Sequence, residues 1–322
     1  MKPKNGCSRR QFIGSALAAT ASGAVMSAMA ADNKLAFVAA GKEFTFDTGA
    51  LRGTLRGGGQ SKGLIPAFDC ASGAALTKSL GLFSHYRLLD DTNRYGKAGW
   101  DWASEAKLLD NGAVEVRWTA DDAHPFDMMA VYRWSVANAL DLTTRVTARK
   151  ELKRFEVFLA SYFDGFPDTV VYAGDKPISV NTTVVYKGST PIFVGASKEV
   201  AKWHMFPRDE AAVKTIQDGR WTRPPNPVEW TIRPKLAAPL AIRRDAERKL
   251  AAVLMTRAED AFAIACPQND EGHRSLYFSL FGRDLTNGES VEAKSRLMIC
   301  GETTDEQAVK FYEAFRKQTK KS

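Results

Sequence analysis

From Lys42 to Ile299 the apolar residues of this chain recur at every second position, broken by turn residues, and that period excludes most folds. Alternate side chains of an extended strand point to opposite faces, so a chain written this way buries one face of a sheet. The pattern is clearest from Lys107 to Ala148. Lys107-Leu108-Leu109 leads into the turn Asp110-Asn111-Gly112, and a strand follows from Ala113 to Trp118. Met128 to Val136 and Leu140 to Ala148 form a hairpin around Ala137-Asn138-Ala139, in which Val131, Arg133 and Ser135 alternate with Tyr132, Trp134 and Val136. Phe155 to Phe163 continues the series. Consecutive antiparallel strands of this kind predict a mainly β sandwich or barrel rather than a wound α/β sheet.

The same period marks two short strands from Glu43 to Arg56 and later strands at Ala251–Thr256, Ala261–Cys266, Leu276–Phe281 and Ser290–Ile299. Gly57-Gly58-Gly59 is read as a turn and not a phosphate loop, because no helix or lysine follows in register. Helical spacing is confined to Thr304–Lys317, where Ala308, Phe311, Tyr312 and Phe315 share a face. One stretch interrupts the strands. Residues 202–233 are rich in proline, tryptophan and charge and predict a long ordered insertion, or lid, across one face of the sheet.

Residues 1–30 read as an export leader. Lys2, Lys4, Arg9 and Arg10 precede an apolar Phe12–Ala30 run that ends in Ala28-Met29-Ala30. Ser8-Arg9-Arg10-Gln11-Phe12-Ile13 resembles a twin-arginine signal, which predicts a periplasmic or secreted protein with no stable membrane anchor after cleavage. Residues 31–322 are then one β-sandwich domain. Four units of the formal +8 charge lie in the leader, so the remainder is mildly basic. Arg316, Lys317, Lys320 and Lys321 read as a solvated helix end, and no nucleic-acid partner is expected.

Of four cysteines, Cys7 belongs to the leader, leaving Cys70, Cys266 and Cys300. An odd number precludes a disulfide framework. Cys266 and Cys300 read as packing residues, with a bridge between two of the three as the alternative. No Cys-x-x-Cys, His-Glu-x-x-His or haem-attachment pattern occurs, so neither a cofactor nor a metal is expected. A structural Ca²⁺ is compatible with the sequence but indicated by no ligand pattern. His273, beside Asn269, Asp270 and Glu271, matches no ligand spacing and reads as part of a solvated turn.

The hairpin from Ala130-Val131-Tyr132-Arg133-Trp134 to Leu142-Thr143-Thr144-Arg145-Val146 is similar to the middle strands of galactose-mutarotase-like sugar enzymes. So are Ala160-Ser161-Tyr162-Phe163, at the place of that family's His-x-Tyr-Phe motif, Ala263-Ile264-Ala265-Cys266-Pro267-Gln268, and Leu285-Thr286-Asn287-Gly288-Glu289. The resemblance implies an antiparallel β-supersandwich that acts on or binds carbohydrate. It also implies that the family's catalytic histidine falls on Ala160 and its glutamate near Cys266. The acid and base of a mutarotase are then missing, and a shared fold does not carry a shared reaction.

The candidate site residues come from local chemistry. Phe83-Ser84-His85-Tyr86-Arg87 offers an imidazole, a phenol and a guanidinium. On a regular strand His85 and Arg87 share a face and Tyr86 points away. His85 is read as an acid or base and Arg87 as a carboxylate or hydroxyl clamp, with half-buried strand residues as the alternative. His124, before Pro125, reads as a turn residue. His204, in Trp203-His204-Met205-Phe206-Pro207-Arg208, is the strongest single candidate, because loops held by a rigid sheet concentrate ligand contacts, with a histidine that caps a loop or stacks on Trp203 as the alternative. Tyr162 is a candidate proton donor, with a tyrosine packed in the core as the alternative. Arg94, Trp100, Trp102, Asp164, Trp203, Arg208 and Trp221 are candidate sugar contacts, since flat rings pack on pyranose faces and polar groups bind hydroxyls. Each tryptophan has core packing as its alternative. Asp101, Glu105, Asp164 and Asp168 remain unranked as a carboxylate pair for hydrolysis.

The expected function is therefore that of an exported carbohydrate-active protein, a polysaccharide lyase or glycoside hydrolase. The alternatives are a non-catalytic carbohydrate-binding protein and a divergent sugar epimerase.

Overall fold

The computed structural model describes residues 35–174, 191–268 and 274–320. The expected leader and the segment around His273 lie outside the described residues. As the alternation predicts, the chain is built from antiparallel sheets. A ten-stranded sheet runs, edge to edge, through Ile192–Gly195, Asp168–Ala173, Leu236–Asp245, Leu250–Thr256, Ser290–Gly301, Ala139–Ala148, Phe126–Val136, Val114–Trp118, Ala103–Leu108 and Gly59–Gln60. A six-stranded sheet runs through Thr231–Ile232, Trp203–Pro207, Ala261–Pro267, Arg274–Leu285, Leu152–Phe163 and Ser84–Leu89. Val38–Ala40, Glu43–Asp47, Leu51–Arg56 and Gly63–Asp69 form a four-stranded sheet. Among the described strands only Trp203–Pro207 and Thr231–Ile232 pair in parallel.

The main core lies between these sheets. Phe126, Met128, Ala130, Tyr132 and Trp134 point inward from one strand of the ten-stranded sheet and meet Phe155, Val157 and Leu159 of the six-stranded sheet. Each large side chain buried this way contributes about 1.5–3 kcal/mol. Val136 departs from the pattern. Alternation puts it on the Tyr132 and Trp134 face, but the ladder slips at Ala139/Leu140, and its side chain is exposed at the hairpin end.

Two further clusters explain strands that are apolar on both faces. In Leu250–Thr256, Leu250, Ala252 and Leu254 face the main core, while Ala251, Val253 and Met255 meet the C-terminal helix Asp305–Thr319. Ala308, Tyr312 and Phe315 are the buried stripe of that helix, and Thr304 and Gln307 close its start as a capping box.

The second cluster covers the outer face of the six-stranded sheet. Here Phe158, Ala160 and Tyr162 of one strand pack beneath Ala212, Ile216 and Trp221. The expected insertion at 202–233 is therefore not a lid throughout. Trp203–Pro207 is a strand of the sheet, paired with Ala261–Pro267. Among the described residues of that stretch, the face is crossed by the helix Glu210–Ile216, the 3-10 turn Arg220–Thr222 and the proline-rich loop.

Candidate functional site

Where that crossing segment leaves the sheet uncovered, it closes a cavity of about 420 Å³. The sheet supplies Tyr86, Arg87, Phe158, Tyr162, Trp203 and Tyr277, and the crossing segment supplies Trp221, Asn226, Pro227, Val228 and Trp230. Seven of these eleven residues are aromatic. Phe158 stacks on Tyr277 with centroids 4.4 Å apart, and Trp221 meets Phe158 edge-on at 4.6 Å and Trp230 at 5.3 Å.

The site depends on an irregularity in Ser84–Leu89. Leu159 pairs with His85, but the next residue back, Phe158, pairs with Arg87, so Tyr86 is an extra residue opposite the ladder. This bulge gives two consecutive residues, Tyr86 and Arg87, to the cavity side. The expectation that His85 and Arg87 share a face is corrected by it. His85 points instead into the inter-sheet core, where Nε2 lies 3.0 Å from Thr144 Oγ1 and the ring sits edge-on to Trp118 at 5.2 Å. Burial pushes its pKa down to about 3, so the ring is neutral.

Arg87 is 3% exposed. Its Nη2 donates to the Asn226 carbonyl at 2.7 Å, and its Cζ lies 4.9 Å from the Trp221 ring centroid and 5.3 Å from that of Tyr86. Nε and Nη1 have no acceptor, and no carboxylate lies within ion-pair distance among the described residues. The indole N–H groups of Trp221 and Trp230 are also buried without an acceptor. Tyr162 and Tyr277 hydrogen-bond one another, and burial raises both phenols, Tyr162 well above the usual tyrosine range. Both rings therefore hold their protons.

The crossing segment is fixed by charge on either side of the cavity. Arg94 donates to the Pro225 and Lys97 carbonyls, and Arg223 to those of Asp90 and Asp91. Arg220, fully buried, donates to Glu156 at 3.1 Å, to Asp218 at 2.8 Å and to the Arg154 carbonyl at 2.8 Å. That network sets the turn on which Trp221 stands.

Of the sequence-predicted residues, Arg87, Tyr162, Trp203 and Trp221 line the cavity. Trp100 backs it by stacking on Tyr86, and Arg94 braces its rim. The others lie elsewhere. His204 is fully buried opposite Cys266 and donates from Nε2 to the Ser197 carbonyl at 3.1 Å. Its pKa falls to about 4, through burial and then the Arg233 charge. Trp102 stacks on His124 at 4.2 Å over a separate shallow depression with Asp101, Glu105 and Asp121. Asp164 faces Arg248, and Arg208 pairs with Asp209, the residue that caps the Glu210–Ile216 helix.

Phe158, Tyr277 and Trp230 are legible in the sequence only as core aromatics, because nothing local marks which face of a doubly buried strand borders a cavity. The Pro224-Pro225-Asn226-Pro227 run is the available signal for the loop. Ala160, at the position of the resembled family's histidine, lies between Ser84 and Tyr277 on the cavity side of the sheet, and Cys266 faces the core.

No protein-family model matches the chain, and no curated protein matches it. Among solved structures, a galactose mutarotase related enzyme from Lactobacillus acidophilus superposes with a TM-score of 0.51 at 8% identity, covering 81% of this chain and 98% of that one. A GalM/aldose epimerase homologue from C. elegans gives 0.46 at 9% identity, over 84% and 99% of the two chains. The α-N-acetylgalactosaminidase NagBb from Bifidobacterium bifidum gives 0.47 at 8%, over 88% of this chain and 39% of that one. The fold of this chain is the galactose-mutarotase-like antiparallel β-supersandwich, carried by the first of these superpositions and the sheet order.

Proposed function

We propose that this protein is an exported carbohydrate-binding protein whose ligand sits in the aromatic cavity on the outer face of the six-stranded sheet. The carrying observation is the lining itself. Three tryptophans, three tyrosines and one phenylalanine surround a space of about 420 Å³, with buried N–H donors among them. Flat π-faces take the apolar faces of a pyranose, and fixed donors take its oxygens. Export rests on the leader's twin arginines and apolar run, which make the periplasm or cell exterior the place of work.

Paired-carboxylate hydrolysis draws no support from this cavity, because among the described residues no aspartate or glutamate lines it. A second reading, polysaccharide lyase, is favoured by the Tyr162 and Tyr277 phenol pair close to Arg87. A guanidinium can neutralise a uronate while a phenol donates to the leaving oxygen. Both phenols hold their protons, which suits the acid role and leaves the base unassigned.

The test is a panel of neutral and acidic oligosaccharides followed by tryptophan fluorescence, since Trp203, Trp221 and Trp230 line the cavity. Saturable quenching that Trp221→Leu abolishes is expected. Absence of any fluorescence or calorimetric response would sink the binding reading. Growth of the unsaturated-uronate absorbance in the same mixtures would move the protein to the lyase reading.

A further inference from the structure

We infer that the cavity selects a sugar carrying a single negative charge, a carboxylate or a sulfate ester, and that Arg87 is the residue that reads it. This rests on the cavity being a sugar site and names which sugars it takes.

Donors and acceptors do not balance around Arg87. It is an obligate cation whose guanidinium offers only donors. It is almost wholly buried, its Nη2 is used by the Asn226 carbonyl, and Nε and Nη1 have no partner. Buried charges in proteins are ordinarily paired, and a buried donor without an acceptor is costly. The other fully buried guanidiniums are better supplied. Arg220 has Glu156 and Asp218, and Arg243, without an acid and with its Nε also unpartnered, still donates to three carbonyls, those of Phe166, Pro267 and Ser275. Arg87 differs in opening onto a cavity.

The remaining lining adds to the imbalance. Trp221 and Trp230 contribute two further donors without acceptors, and among the described residues no carboxylate lines the space. Nearby, Arg94 adds charge of the same sign, and its pKa is lowered by burial and by Arg87. Among the described residues the site therefore presents a donor surplus and a positive charge with no facing carboxylate. A ligand that completes it brings acceptors and a negative charge. A charge-assisted hydrogen bond to such a buried guanidinium is stronger than one from a neutral hydroxyl.

The bulge supports the assignment. Regular pairing would turn Arg87 into the inter-sheet core with His85, and the extra residue at Tyr86 turns it to the cavity instead. Trp221 and Tyr86 then hold the guanidinium by their faces, which leaves its N–H edge for the ligand.

The experiment titrates the purified protein with three matched oligosaccharides: one built of uronic acid, its neutral hexose counterpart, and that counterpart bearing one sulfate ester. Calorimetry and tryptophan quenching are the readouts. One of the two anionic ligands is expected to bind roughly 10- to 100-fold more tightly than the neutral one. Which one does so identifies the anion. R87Q is expected to erase that preference, whatever it does to the neutral affinity, and R87K to restore part of it. Equal affinity for neutral and anionic sugars overturns the inference while leaving the sugar site standing, whereas no binding of any sugar overturns both. A preference that survives in R87Q removes the role given to Arg87. The wild-type comparison decides the charge preference without depending on any variant folding.

Discussion

Tyr86 stacks face to face on Trp100, with ring centroids 4.7 Å apart and planes 1° from parallel. The pair joins the bulged strand to the 3-10 turn Gly99–Asp101 and forms the back of the cavity, where Trp100 also meets the edge of Tyr162 at 6.4 Å. The stack exists because the turn lies tight against the strand.

Gly99 is what allows that approach. A Cβ at this position would come within 2.7 Å of the His85 carbonyl oxygen, which is strand backbone and cannot swing aside. Gly99→Ala is expected to push the turn outward and cost about 1–3 kcal/mol in chemical denaturation. Sugar quenching should weaken at the same time. An unchanged denaturation midpoint would mean that the turn yields freely.

Arg220 and Glu156 are both fully buried, 3.1 Å apart. Removing the cation strands a carboxylate in the core. Arg220→Met should therefore destabilise the fold by about 3–5 kcal/mol. Glu156→Gln leaves Arg220 with Asp218 and should cost only about 1–2 kcal/mol. Urea titrations of the two variants check the order, and a reversed order would contradict the assignment of Arg220 as the anchor of the Trp221 turn.

Acid should destabilise the protein through two histidines. His85 and His204 are held neutral, with pKa values lowered from 6.5 to about 3 and about 4. The unfolded chain binds protons at these sites first, so their contribution is complete above pH 6.5 and is lost as pH falls toward those values. Each histidine adds a slope of about 1.4 kcal/mol per pH unit within its window. His85→Gln should flatten the stability profile between pH 6 and about 4 by that amount, as read from denaturation at stepped pH. A profile as steep as wild type would show that His85 is not titrating.

Cys266 should be chemically silent in the native state. Its thiol is fully buried, and burial raises its pKa to about 12 despite Arg243 and Arg233 nearby. Among the described residues Cys70, Cys266 and Cys300 are all free thiols. Iodoacetamide at mildly alkaline pH is expected to label Cys266 only after unfolding, as peptide mass mapping would reveal. Native labelling at the unfolded rate would place the thiol at the surface.

Much of the β architecture is visible in residue order. Phe126–Val136, Ala139–Ala148, Leu152–Phe163 and Ser290–Gly301 extend the expected strands by a few residues, and the C-terminal helix carries its expected buried face. Gly63–Asp69 and Leu236–Asp245 are not legible by alternation, because each contains a proline. Pro66 is exposed on an edge strand and Pro239 sits at a break in the Asp168–Ala173 pairing, the two places where a sheet tolerates the missing N–H.

The site was harder to read, for a reason visible at His85, Tyr86 and Arg87. Sequence by itself determined that this segment is a strand rich in polar chemistry, because extended conformation follows from local alternation. Which side chain reaches the cavity was decided only in the folded molecule. One additional residue opposite Leu152–Phe163 reverses the face of everything after it, and pairing register is a property of two strands roughly seventy residues apart. His204 teaches the same lesson from the opposite direction. It looks like a loop residue among prolines and tryptophans, yet pairing with Ala261–Pro267 makes it core, and the cavity is left to Trp203 beside it.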